Sequence, residues 1–120
     1  MTSIKAPSLK LGKHIIAEGQ ISDTSILDDA PFILQTIVDA AKHGGFTVLR
    51  KEFHKFKPHG VTAFALLAES HISIHTWPEH GYAGIDIFTC GPNDPRKSLE
   101  YIKTKLKFEK LYVVEFDRGK

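Results

Sequence analysis

The chain has one cysteine, one methionine and one tryptophan among its 120 residues, and no apolar run approaches the length of a membrane span. Each scarcity excludes something. With Cys90 alone there is no internal disulfide framework, and a chain built this way fits a reducing compartment, so the expected location is the cytoplasm. The N-terminal segment MTSIKAPSLKLGKHIIAEG holds no apolar stretch of signal-peptide length. Charge of one sign is scarce too. The net charge is +2, and Lys97, Lys103, Lys105, Lys107 and Lys110 are interleaved with Glu100, Glu109 and Glu115, which reads as a solvated helix face. Neither nucleic acid nor membrane is expected as a partner.

What is present is ordinary globular material: 42% apolar residues against 25% charged, enough to bury a core in one domain spanning residues 1–120. Residues 1–9 lack periodicity and read as a flexible lead-in, followed by a strand over residues 10–18. Asp29 is an N-cap with Pro31 in the first turn, and Leu34, Ile37, Val38 and Ala41 recur at helical spacing. A helix over residues 30–43 follows, stopped by Gly44-Gly45, which lacks the pattern of a phosphate-binding loop. Two β-rich runs, 46–56 and 61–68, form one hairpin, and 71–77 and 82–90 form a second around Pro78-Glu79-His80-Gly81. Asp94-Pro95 repeats the cap signal ahead of Leu99, Ile102 and Leu106, and 111–116 is a last strand. The fold class is therefore α+β: a two-layer sandwich of an antiparallel sheet with two helices on one face.

The helices cover only one sheet face, and alternation shows what the other carries. Ile72, Ile74 and Thr76 point one way, while His71, Ser73, His75 and Trp77 point the other; Ala83, Ile85 and Ile87 oppose Asp86, Phe88 and Cys90 in the same manner. If Pro78–Gly81 is the turn, Trp77 faces Tyr82, His75 faces Gly84 and Cys90 faces Glu69. The only thiol then lies beside the Glu69-Ser70 bond, expected at a strand junction on the helix-free face. A polar, aromatic, uncovered face should hold a ligand or a second copy of the chain.

Singly, Ser70, His75 and Cys90 are commonplace. Together, Glu69-Ser70-His71, His75-Thr76-Trp77-Pro78-Glu79 and Phe88-Thr89-Cys90-Gly91 form a pattern that resembles the small prokaryotic, pyruvoyl-dependent S-adenosylmethionine decarboxylase proenzymes. The resemblance extends to Leu11-Gly12-Lys13-His14, Phe53-His54-Lys55-Phe56 and Gly60-Val61-Thr62. It implies a self-processing enzyme that makes decarboxylated S-adenosylmethionine for spermidine and other polyamines. Ser70 would attack the Glu69 carbonyl, and elimination from the resulting ester would split the chain into a 1–69 β chain and a 70–120 α chain. Ser70 would become a covalent pyruvoyl group that forms a Schiff base with the substrate and accepts its electrons as carbon dioxide leaves.

By the same resemblance His75 is the processing base, Thr62 supports the ester step and Cys90 is the proton donor in decarboxylation. Serine is usual in the family at the position of Thr62; threonine keeps the hydroxyl but restricts its rotamer, so processing rate is what this difference bears on. Phe56 and Trp77 match positions that stack on adenine, and Glu79 matches a carboxylate that takes the ribose hydroxyls. The family's sites form across a homodimer of αβ units, which agrees with an uncovered sheet face.

Seven histidines invite a metal reading. His71 and His75 share a strand face, but their Cα atoms would lie about 13 Å apart at strand rise, too far for one ion, so no metal is expected. Two other readings stand beside the leading one: a pyruvoyl enzyme of the same fold acting on arginine, and an unprocessed, non-catalytic dimeric module that binds a nucleoside.

Overall fold

The computed structural model describes residues 9–119; the lead-in expected over residues 1–9 lies almost wholly outside them. In chain order the elements are β1 (Gly12–Ile21), α1 (Ala30–His43), β2 (Val48–Lys55), β3 (Val61–Leu67), β4 (Ser70–Trp77), β5 (Tyr82–Thr89), α2 (Pro95–Leu106) and β6 (Phe108–Arg118). All six strands form one antiparallel sheet in the order β2-β3-β4-β5-β1-β6. No helix among the described residues is long and apolar enough to cross a membrane.

Both helices start where their caps require. The Asp29 carboxylate accepts from Phe32 N–H at 3.2 Å and that of Asp94 from Arg96 N–H at 2.9 Å, each with proline just inside. Helix α1 turns Ile33, Ile37, Ala40 and Ala41 onto the sheet, and α2 adds Leu99, Ile102 and Leu106; all are buried against Ile15, Ala17, Ala63, Ala65, Ile72, Ile74, Ile85 and Ile87. The two helices meet at Ser98, whose hydroxyl donates to the Ala40 carbonyl at 2.7 Å. This is the expected two-layer arrangement, with both helices on one side.

Boundaries moved where backbone geometry outweighs composition. β1 runs on to Ile21 because β6 can approach it closely at Gly19, where a Cβ would lie 1.8 Å from the Lys110 carbonyl oxygen. β6 begins at Phe108, since Lys107 takes a left-handed φ of 56° and turns the chain straight out of α2. Lys110, Glu109 and Glu115 therefore stand on an edge strand; only Lys97, Glu100, Lys103 and Lys105 belong to the solvated helix face read from the sequence.

Polar ties hold the periphery. The Gly60 N–H and then the Lys55 ammonium keep the Asp28 carboxyl below its ordinary value of 3.8, and Arg96 does the same for Glu115, ordinarily 4.5. A carboxylate depressed in the folded state contributes stability above its unfolded value and loses it as pH falls through the folded one. The urea midpoint is expected to hold between about pH 7 and 5 and to drop below about pH 4, with a shallower drop for Asp28→Asn; equal acid slopes for the two proteins would refute the assignment.

Candidate active site

The β3–β4 connection is the tightest in the sheet. Leu67 pairs with Ser70, leaving only Ala68 and Glu69 as the loop. Two-residue hairpins are built from turns with left-handed residues, usually Gly or Asn, and this loop has neither. The strain is taken up one residue later: Ser70 has φ 152°, a value L-residues rarely adopt. The Glu69-Ser70 bond thus lies between a glycine-free turn and a strained serine.

Three hydrogen bonds fix this bond in space. The Glu69 carbonyl accepts from Cys90 N–H at 2.8 Å, the Ala68 N–H donates to the Thr47 carbonyl at 2.9 Å, and the Glu69 carboxylate accepts from Thr47 N–H at 3.1 Å. The first is the contact anticipated from the hairpin register, and the rest of that register is also found: Trp77 opposite Tyr82, His75 opposite Gly84. The bond does not lie on the open sheet face, however. Ser70 belongs to the Ile72 series and pairs with buried Thr89, so the bond is at the end of the sheet, with half-buried Cys90 beside it.

The remaining candidates gather elsewhere. The Thr62 hydroxyl and His75 Nδ1 are hydrogen-bonded at 2.9 Å across β3 and β4. His75 also lies 6.4 Å from the Trp77 ring, and Trp77 6.4 Å from Tyr82. Phe56, just past β2, packs edge-on to His54 and is tied to the Gly60 carbonyl by its own N–H at 2.8 Å. Gly60, with φ 110° and a notional Cβ 3.2 Å from the Thr76 carbonyl oxygen, stands between Phe56 and Trp77 in the sheet row. That backbone conformation favours glycine, and the Phe56 and Trp77 rings on either side of the row are both exposed. Glu79 is exposed in the 3-10 turn Pro78–His80 at the same end.

Two groups of residues therefore occupy opposite ends of β4. His75 follows Ser70 by five positions, about 16 Å at strand rise, and a histidine side chain cannot span that distance. Within one chain the structure brings together Glu69, Ser70 and Cys90, and separately Thr62, His75, Phe56 and Trp77.

Comparisons with known proteins identify the family to which these residues belong. Residues 13–119 match the family model described as S-adenosylmethionine decarboxylase. The proenzyme of that name from Methanococcus maripaludis is 50% identical over 111 residues, covering 92% of this chain and 91% of the relative. The one from Thermosipho africanus is 48% identical over 111 residues, covering 92% of this chain and 85% of the relative. The crystal structure of the adenosylmethionine decarboxylase from Aquifex aeolicus superposes with a TM-score of 0.88 at 38% identity, over 94% of each chain. The chain belongs to the S-adenosylmethionine decarboxylase family.

For a member of this family, the open sheet face carries one cluster that the sequence did not announce. Asp86 Oδ1 accepts from His14 Nε2 at 2.8 Å and from His71 Nε2 at 3.1 Å, while Arg118 donates to His14 Nδ1 at 2.9 Å. Since Arg118 can only donate, His14 carries its proton on Nε2. The cluster ties β1, β4, β5 and β6 together directly beside Ser70, through its neighbour His71. Its members are up to 104 positions apart in sequence, so only the register could have revealed it. Among the described residues no group of three or more His, Cys, Asp or Glu side chains is placed to hold a metal. A cleft of about 710 Å3 lies past Cys90, lined by Gly12, Thr89, Gly91 and Asn93, but neither Ser70 nor Cys90 lines it.

The strained φ at Ser70 has a measurable consequence. Ser70→Gly should be more stable than Ser70→Ala by about 1 kcal/mol in urea denaturation, because glycine adopts this conformation freely, whereas elsewhere in a strand it costs stability. An alanine variant of equal or greater stability would remove the strain argument.

Proposed function

We propose that this chain is a self-processing S-adenosylmethionine decarboxylase, cleaved between Glu69 and Ser70 into residues 1–69 and 70–120. The observation that carries the proposal is the Glu69 carbonyl, held on Cys90 N–H in a glycine-free turn ahead of a serine with φ 152°. A fixed donor on that oxygen stabilises the negative charge that develops when the Ser70 hydroxyl adds to the carbonyl carbon. The C–N bond then breaks, the amine of residue 70 takes the proton, and Glu69 is left as an ester. Removal of the Ser70 α-proton expels the Glu69 carboxylate, and hydrolysis of the resulting dehydroalanine gives the pyruvoyl group and ammonia.

That removal needs a base. His75 suits the role: in the tautomer whose Nδ1–H donates to the Thr62 hydroxyl, Nε2 keeps a free lone pair. Its distance along β4 means that it must come from elsewhere, and the open face supplies the route. Ile16, Phe64, Val114 and Phe116 expose apolar surface there, Val114 at 60%. A two-fold stacking of two open faces with their strands antiparallel across the interface would bring the Thr62–His75 end of one chain to the Ser70 end of the other. We therefore assign a homodimer with two shared sites, each taking Glu69, Ser70 and Cys90 from one subunit and Thr62 and His75 from its partner.

In the processed enzyme the pyruvoyl ketone supplies the electron sink for loss of carbon dioxide. The protein's own residues do the rest. The exposed Phe56 and Trp77 rings stack on a planar base, their faces attract the sulfonium, and the Glu79 carboxylate takes the ribose hydroxyls. Cys90, at the end of the sheet and half-buried, returns a proton to the former α-carbon. The cytoplasm, where a lone free thiol remains reduced, is the proposed compartment.

Intact-mass measurement should find two fragments joining at residues 69 and 70, with Ser70→Ala uncleaved and Cys90→Ala cleaved but slowed at least a hundredfold in carbon dioxide release from S-adenosylmethionine. Release from arginine instead would overturn the substrate, and a single full-length mass in active protein would overturn the mechanism. The shared sites are tested by co-expression. Ser70→Ala and His75→Ala chains, each uncleaved alone, should together yield cleavage of the His75→Ala chain; no cleavage in the mixed dimer would place the base within one subunit.

A further inference from the structure

The Glu69 side chain has no part in the chemistry set out above, which uses only its carbonyl. Its position is nonetheless tightly specified. The carboxylate reaches back to Thr47, on the segment between α1 and β2, and accepts that residue's N–H at 3.1 Å, while the Thr47 carbonyl accepts from Ala68 N–H at 2.9 Å. Thr47 therefore grips the two-residue turn twice, once through the backbone and once through Glu69. On the other side Cys90 N–H holds the Glu69 carbonyl at 2.8 Å.

We infer that the Glu69 carboxylate is a positioning residue for self-cleavage: it pins the turn to Thr47 and so keeps the scissile carbonyl on the Cys90 donor while Ser70 attacks. The reason is geometric. A peptide in a turn without glycine can relieve the φ of Ser70 by rotating the Glu69-Ser70 unit, and that rotation would carry the carbonyl oxygen off Cys90 N–H. Rotation is opposed at Glu69 from both sides, by its side chain on Thr47 and by its carbonyl on Cys90. Removing the side-chain tether frees the unit to relax before the hydroxyl adds. The interaction is a hydrogen bond to a backbone donor, so an amide oxygen in place of the carboxylate should serve nearly as well.

The inference rests on the proposed self-cleavage, and its test separates the two. The full chain is made by cell-free translation, and release of the 1–69 fragment is followed in time. Relative to wild type, Glu69→Ala should cleave roughly tenfold more slowly, the loss of about one hydrogen bond. Glu69→Gln, which keeps an acceptor, should retain most of the rate. Thr47→Pro, which lacks the donor, should be slow, and its combination with Glu69→Ala no slower than the slower single variant. Thermal midpoints in the uncleavable Ser70→Ala background control for a general loss of stability, which Gln rescue would not repair. Cleavage of Glu69→Ala at the wild-type rate, or Glu69→Gln as slow as Glu69→Ala, overturns the positioning role while leaving self-cleavage intact. A wild-type chain that never cleaves overturns both.

Discussion

Strand β4 has a hydrogen-bonded neighbour on each side, and its Ile72, Ile74 and Thr76 are all buried beneath the helices. A slip of one residue would exchange its two faces, driving His71, His75 and Trp77 into the core. Thr76 makes the slip costlier still, because its buried hydroxyl accepts from Val61 N–H and donates to the Leu27 carbonyl. The candidate residues on β3, β4 and β5 are placed by this register. Ser70 and Trp77 stand at the two ends of β4, Thr62 is set against it by β3, and Cys90 is delivered to Glu69 by β5.

The register also explains why the site is divided. A strand is a ruler with a fixed rise, so residues close in sequence along it are held apart in space. The motif that looks like one compact constellation on paper becomes two half-sites at opposite ends of a sheet. The sheet leaves one face bare and apolar in patches, and a second copy can restore what the ruler separates. In the proposed homodimer, catalytic completeness and dimerisation become one event.

Much of this was legible in the residues. The caps at Asp29 and Asp94 with their prolines located both helices, and the Pro78–Gly81 turn fixed the pairing that brings Cys90 to Glu69. Other features lacked any local signal. Ala68-Glu69 has none of the residues that mark a tight hairpin, so the strain at Ser70 emerged only with the fold. The Asp86 cluster and the Thr47 tether join residues whose proximity depends on strand order and on where α1 ends. The separation of His75 from Ser70 could have been counted, since the same strand rise that excluded a shared metal for His71 and His75 applies to it.

The placement of the proposed cut at a hairpin tip has a consequence for the life of the protein. The intact chain closes the β3–β4 loop over two residues, nearly the smallest entropic cost a loop can have, and the ladder can zip from there. Once the tip is severed the same ladder must join two separate molecules, and its assembly becomes second order in concentration. The precursor folds as one chain; the mature protein inherits that fold but has lost the connection that made it quick to form. Assembly is in this sense spent in the same step that makes the catalyst.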